Sequence, residues 1–243
     1  MDNPFEDIEI AKEWIRSVEG EKEQIRDKYI YPLLVEWLER CGKEKAFDAG
    51  SVKGRMLDIG CGQGVASQFC KGFEYYGIDS SSELLERAKL IYNKNGIFIQ
   101  GNAYSLPFEN SFFDAVFSIN VWFHLADLHK ASQELARILS PEGQFLIVTA
   151  CPDSYDLWMQ TFEDPKHHGK RVDCVANLPL HVKLRNTHYL HTHNEIISSL
   201  ENAKLTVLGT KSFAPCDESE LFQENTVGRH LFQYYSGLLY KRA

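Results

Sequence analysis

The segment Met56-Leu57-Asp58-Ile59-Gly60-Cys61-Gly62-Gln63-Gly64 constrains the chain more than any other. An apolar run that passes straight into closely spaced glycines is a buried strand entering a sharp turn, where the backbone must bend and approach a ligand. The helix expected after such a turn would present unpaired N–H groups and a positive dipole end. A nucleotide-like ligand is implied. The dinucleotide pattern G-x-G-x-x-G does not fit, because Val65 stands at its third position and glycine falls one residue early, at Gly64. Asp58 also sits two residues before the first glycine, where a carboxylate would repel a pyrophosphate and favour an amino-acid ammonium group.

From about Gly54 to Ala150, short apolar runs alternate with helical periodicity. That alternation indicates β-α-β units and a largely parallel sheet. The runs RMLDIG, EYYGID, GIFIQG, FDAVFSI and GQFLIVTA are the expected strands. Between them, Ser80 and Glu83 have capping-box spacing ahead of Leu84, Ala88 and Ile91, and a second helical stripe runs from Leu128 to Leu139 before Ser140-Pro141-Glu142-Gly143. Upstream, Ile8, Ala11, Ile15 and Val18 predict an amphipathic helix, and the face from Leu33 to Cys41 predicts a second one ending at Gly42. Regularity fails from Cys151 to Leu190, as expected of an insertion, and returns at the capping box Thr192–Glu195. Two apolar runs, LTVLGTKSF and HLFQYYSGLLYKR, flank a polar loop from Pro215 to Arg229.

Three further strand ends carry chemistry. Asp79 closes EYYGID fifteen residues after Gly64, where a carboxylate can accept both hydroxyls of a ribose and rejects a 2′-phosphate. Asn102 follows the third strand, where its amide can meet the amino edge of a purine as donor and acceptor. Asn120 follows the fourth strand and leads into Val121-Trp122-Phe123-His124.

Together these residues resemble the class I S-adenosylmethionine-dependent methyltransferases with the pattern D-x-G-x-G-x-G. The resemblance covers Gly54 to Ala150 closely and the remainder to the C-terminus more loosely. It implies an α/β fold with a doubly wound, Rossmann-like, seven-stranded and mostly parallel sheet whose last strand is antiparallel. It further implies one domain over residues 1–243, with an N-terminal helical lid (1–50), a cofactor-binding core (54–150), an acceptor-side insertion (151–190) and a C-terminal helix and strands (191–243). Residue by residue, the resemblance places Gly60, Cys61, Gly62 and Gln63 along the methionine part of S-adenosyl-L-methionine, Asp79 and Ser80 at the ribose, Asn102 and Ala103 at the adenine, and Asn120 and Val121 near the sulfonium. Asn102 departs from the Asp common in the family, and Glu142-Gly143 departs from its usual turn. The implied reaction is methyl transfer to an oxygen or nitrogen of a small molecule. The alternatives are a cofactor-binding regulatory module without transfer, and an RNA or protein methyltransferase.

His124 is the candidate general base, since imidazole titrates near neutral pH; packing in the Trp-Phe-His-Leu run is the competing reading. Trp14, Arg26, Tyr29 and Tyr31 are the residues from which a lid over the cofactor could be built. His188, His191 and His193 lack matching Cys or carboxylate spacing, so no metal is expected. The six scattered cysteines, without a C-x-x-C pair, read as reduced thiols. With 34 acidic against 26 basic residues the net charge is −8, which disfavours a broad nucleic-acid surface. No secretory leader or membrane span is legible, so a cytoplasmic location and no membrane partner are expected.

Overall fold

A computed structural model describes residues 4–20, 26–44, 54–160, 162–178, 182–213 and 232–239. Helices α1 (Ile8–Gly20) and α2 (Tyr31–Glu44) precede the alternating core of β1 (Arg55–Ile59), β2 (Glu74–Asp79), α3 (Ser82–Tyr92), β3 (Ile97–Gln100), β4 (Phe113–Ile119), α4 (Leu128–Ile138) and β5 (Leu139–Ala150). A short helix α5 (Tyr155–Met159) then leads to β6 (Glu163–His168), β7 (Arg171–Leu178) and β8 (Val182–Tyr189). The chain closes with α6 (His193–Asn202), β9 (Leu205–Phe213) and β10 (Phe232–Leu239). The loop expected from Pro215 to Arg229 lies outside the described residues.

The main sheet has the order β3-β2-β1-β4-β5-β10-β9. It has seven strands, of which β1 to β5 form a central parallel sheet of five, while β10, the last strand in the chain, pairs antiparallel with both β5 and β9. The reversal of strand order at β1/β4 leaves a crevice at the carboxyl ends of these strands, where open α/β sheets bind ligands. Because β1 is buried on both faces, its side chains divide between two cores. Leu57 and Ile59 join Val116, Phe145 and Leu135 on one side, while Met56 joins Tyr75, Phe117, Leu34 and Trp37 on the other. Each such side chain contributes about 1.5–3 kcal/mol by leaving water, which fixes the strand from which the glycine turn hangs.

Several local expectations are corrected. Residues Val65–Phe69, after the glycine turn, form a 3-10 segment and not an α-helix, so no long helix dipole points at the turn. Ser81, not Ser80, caps α3, its Oγ accepting from Leu84 N at 3.4 Å. Helix α2 passes through Gly42 to Glu44. Strand β5 begins at Leu139 and absorbs the turn residues, with Glu142 in the left-handed region at φ 66°. The insertion is not irregular: β6, β7 and β8 form their own antiparallel sheet. The second capping box is present, Thr192 Oγ1 accepting from Glu195 N and Glu195 Oε2 from Thr192 N.

Candidate active site

The glycine turn is built by steric exclusion. Gly60 has φ 77°, and a Cβ there would lie 2.2 Å from Cγ2 of Val121, so β1 and β4 close together only over a bare Cα. Gly62 differs. Its φ is 53°, and a Cβ would meet no atom within 4 Å, so its flank faces open space of the kind a ligand fills. The Cys61 side chain turns away from that space and packs on Gly77, whose Cβ would stand 2.8 Å from Sγ. Its thiol is pushed up by burial and by Asp58 and Asp79, so Cys61 can offer a ligand its backbone but no thiolate.

Both acids sit at the turn. Asp79 accepts from Gly62 N at 2.8 Å and from Ser81 N at 2.9 Å, tying the turn to the start of α3. Burial raises its pKa, and these backbone donors act against the rise. Carboxylate oxygens have lone pairs in excess of two bonds, so ribose hydroxyls can still be accepted. Asp58 is buried and accepts from Tyr75 Oη at 2.8 Å. Burial lifts it to about 7, with the Tyr75 hydrogen bond lowering it and Asp79 raising it.

Two buried side-chain oxygens in this region have no hydrogen-bond partner, Gln63 Oε1 and Asn120 Oδ1. Asn120 stands in the left-handed region at φ 59°, which Asn tolerates better than most residues, and its N–H donates to Val148 O at 2.8 Å. A buried amide oxygen left unpaired costs about 1–3 kcal/mol. Such atoms, one on the residue after Gly62 and one on the residue after β4, fit a bound group that carries N–H donors.

Asn102 follows β3 and bends back on itself, its Oδ1 accepting from Tyr104 N at 2.8 Å. One of the two lone pairs of this oxygen is thereby committed, so the Nδ2 donor and one acceptor position are left for the expected pairing to a purine. Ala103 packs against the core beside it. Sequence reading missed what holds this turn: the Arg137 guanidinium donates to Leu106 O at 2.9 Å, to Phe108 O at 2.7 Å and to Glu134. Glu134 in turn accepts from Leu106 N at 2.7 Å and is held below the usual carboxylate range by Arg137. The i,i+3 spacing of Glu134 and Arg137 on α4 was the available signal.

His124 follows the short helical turn Trp122–His124, and its Nδ1 donates to Thr187 O of β8 at 3.1 Å. A carbonyl only accepts, so the proton resides on Nδ1 and Nε2 keeps its lone pair. Burial lowers the pKa to about 4. His124 is therefore neutral near pH 7, a hydrogen-bond acceptor rather than a strong base. The other histidines have separate partners: His188 packs against Phe123, His124 and Phe162, while His191 Nε2 donates to Leu125 O at 2.7 Å. At the N-terminus, the Ser81 hydroxyl donates to the carbonyl of Phe5, one residue beyond the ribose-side Ser80. Phe5 packs against Trp14 with the rings tilted, and Arg26 lies over the Trp14 ring. Tyr31 instead faces the core, against Phe69.

Residues 57–147 match the family described as "Methyltransferase domain". An uncharacterized methyltransferase of Bacillus subtilis, YcgJ, is 36% identical over 100 residues, covering 39% of this chain and 40% of its own length. The fatty-acid O-methyltransferase of Mycolicibacterium smegmatis is 34% identical over 117 residues, covering 45% and 42%. The match thus spans about two fifths of the length of these curated relatives. Among solved structures, a SAM-dependent methyltransferase of Methanosarcina mazei superposes with a TM-score of 0.63 at 20% identity, over 78% of this chain and 93% of that one. The geranyl diphosphate C-methyltransferase of Streptomyces coelicolor, solved with Mg2+, geranyl diphosphate and S-adenosyl-L-homocysteine, gives 0.60 at 14%, over 86% and 79%. Among the described residues no helix is long and apolar enough to cross a membrane. The core of the chain, residues 57–147, is thus a methyltransferase domain, and its fold is similar to that of S-adenosylmethionine-dependent methyltransferases, whose cofactor is S-adenosyl-L-methionine.

Proposed function

We propose that the chain transfers methyl from S-adenosyl-L-methionine to an oxygen or nitrogen of a small molecule. The observation that carries this is the grouping of the open flank of Gly62, the Asp79 carboxylate and the unpaired oxygens of Gln63 and Asn120 about the carboxyl ends of β1, β2 and β4. The cofactor, when bound, supplies a methyl group on a positively charged sulfur. On this reading the backbone of Gly60–Gln63 lines the methionine part, and Asp58 supplies negative potential for its ammonium. Asp79 and the adjoining Ser80 hold the ribose, and Asn102 Nδ2 with Ala103 meets the adenine. Asn120 and Val121 border the methyl.

His124 takes a positioning part here. Its Nε2 accepts a hydrogen bond from the acceptor hydroxyl or amine and aligns a lone pair with the methyl, and alignment of this kind can supply about 7–11 kcal/mol of the barrier. The β6–β8 sheet forms the acceptor side, because β8 carries the Thr187 carbonyl that orients His124. The N-terminal residues cover the ribose side, where Phe5 meets Ser81. The −8 charge favours a small acceptor over RNA. Labelled-methyl turnover against a panel of hydroxyl, carboxyl, amine and activated-carbon acceptors tests the proposal. Label on oxygen or nitrogen is the expected result, whereas label only on carbon, on RNA or on protein contradicts it.

A further inference from the structure

On the far side of β5 from β1, three side chains converge that the methyl-transfer reading does not use. Cys151 directly follows β5, Asp153 lies in the turn Pro152–Ser154, and His193 is the first residue of α6. Their ligand atoms, one from each, all lie within 4.8 Å of one another, and His193 Nε2 is 3.1 Å from Asp153 Oδ2. A tetrahedral zinc ion with ordinary bond lengths requires about 3.3 Å between nitrogen and oxygen ligands and about 3.6 Å between sulfur and either. The nitrogen and oxygen already stand at nearly that spacing.

A second, independent feature is the group behind the imidazole. His193 Nδ1 lies 2.7 Å from the hydroxyl of Tyr235, a fully buried residue of β10. A hydrogen-bonded partner on the non-ligating nitrogen is what fixes ring orientation in metal-binding histidines. The elements are also held in place: the capping box anchors the start of α6, and Ser132 Oγ on α4 donates to Ser199 Oγ on α6 at 3.0 Å. Beside the cluster a cleft of about 270 Å³ opens between Asp153 and Tyr155 on one wall and Leu190–Asn194 on the other.

We infer that Cys151, Asp153 and His193 form a binding site for a divalent zinc-like ion, with its fourth coordination position open to this cleft. A thiolate, an imidazole and a carboxylate suit zinc better than calcium or magnesium, which take oxygen ligands. On binding, the Cys151 thiol loses its proton to solvent, and the thiolate and carboxylate together balance the two positive charges. His193 then carries its proton on Nδ1 and donates it to the Tyr235 oxygen. Three protein ligands and one open position are the arrangement of zinc sites that bind a small anion or water, as opposed to closed structural sites. The separation of His193 from Cys151 and Asp153, with 39 residues between Asp153 and His193, is why the sequence gives no hint of it.

Cobalt(II) titration of the full chain, after chelator treatment, reads the site without reference to methyl transfer. The expected result is one equivalent of a near-ultraviolet thiolate-to-cobalt absorption band, bleached by zinc and absent in Cys151→Ser. Tyr235→Phe, which keeps the buried ring, should weaken metal affinity about 10–100-fold. Should Cys151→Ser fail to fold, Asp153→Asn at the exposed carboxylate must weaken binding in the same titration. No band in the wild type, a band that persists in Cys151→Ser, or unchanged affinity in Asp153→Asn would overturn the inference.

Discussion

The five parallel strands and the β6–β8 sheet are made on different terms. In the core, every residue of β4 is buried or half-buried and the glycine turn is closed by contacts that admit no Cβ at Gly60. In the smaller sheet, Val172, Cys174, Leu184 and His188 of β7 and β8 are buried, but all six residues of β6 are exposed, and this strand is tied to β8 by a surface pair, Lys183 with Glu163 at 2.6 Å. On the proposed reading, the cofactor side is thus defined by steric exclusion and buried charge, and the acceptor side by a sheet whose outer strand is solvated. A donor site shared across a family and an acceptor site free to vary would be divided in this way.

The contrast can be broken most forcefully at Gly60. Gly60→Ala combines a disfavoured φ with a 2.2 Å contact on the stiff Val121 side chain, and about 2–5 kcal/mol of stability should be lost. Urea denaturation measures it, and a loss under 1 kcal/mol would mean that the turn is looser than its geometry.

Asp58 comes next. Its folded pKa of about 7 lies above the ordinary value of 3.8, so the folded chain binds more protons between those limits. The Asp58 contribution is complete below pH 3.8 and is lost as pH rises through 7. Asp58→Asn should therefore raise unfolding stability at pH 8 by on the order of 2–4 kcal/mol while weakening cofactor binding. Paired melting and calorimetric titrations test the trade, and a variant that is no more stable would remove the buried charge from the account.

His124 has the opposite sign. A folded pKa of about 4 against 6.5 means that the unfolded chain binds the extra proton between those values, so stability falls as pH drops from 6.5 toward 4. The fall should reach about 2–3 kcal/mol, and His124→Gln should flatten it. If Nε2 orients the acceptor, the same variant lowers kcat more than it alters cofactor affinity. At the exposed end of the comparison, Lys183→Ala should shift stability by less than about 0.5–1 kcal/mol and leave cofactor binding unchanged.

The same division explains what could be read from the chain. Met56–Ile59 and Phe113–Ile119 announce themselves because strands buried on both faces are nearly continuous apolar runs. Asp58, Gly60 and Asp79 were legible as a group because their spacing follows from β1 and β2 being parallel neighbours. Strand β6, Glu163-Asp164-Pro165-Lys166-His167-His168, carries no alternation, since neither of its faces is buried, and so it reads as a loop. The Arg137 clamp and the commitment of Asn102 Oδ1 to Tyr104 were illegible for another reason: each is a contact to backbone, which residue identities do not encode.

The central claim, that the glycine turn and Asp79 form a site for S-adenosyl-L-methionine, is tested most directly by calorimetric titration of the wild type and Asp79→Ala with that cofactor and with NAD. The account predicts that S-adenosyl-L-methionine binds the wild type, that NAD does not, and that loss of the carboxylate weakens binding by roughly 10–100-fold, as removal of charge-assisted hydrogen bonds worth about 1.5–3 kcal/mol requires. Binding of NAD, no binding of S-adenosyl-L-methionine, or equal affinity in Asp79→Ala would contradict it.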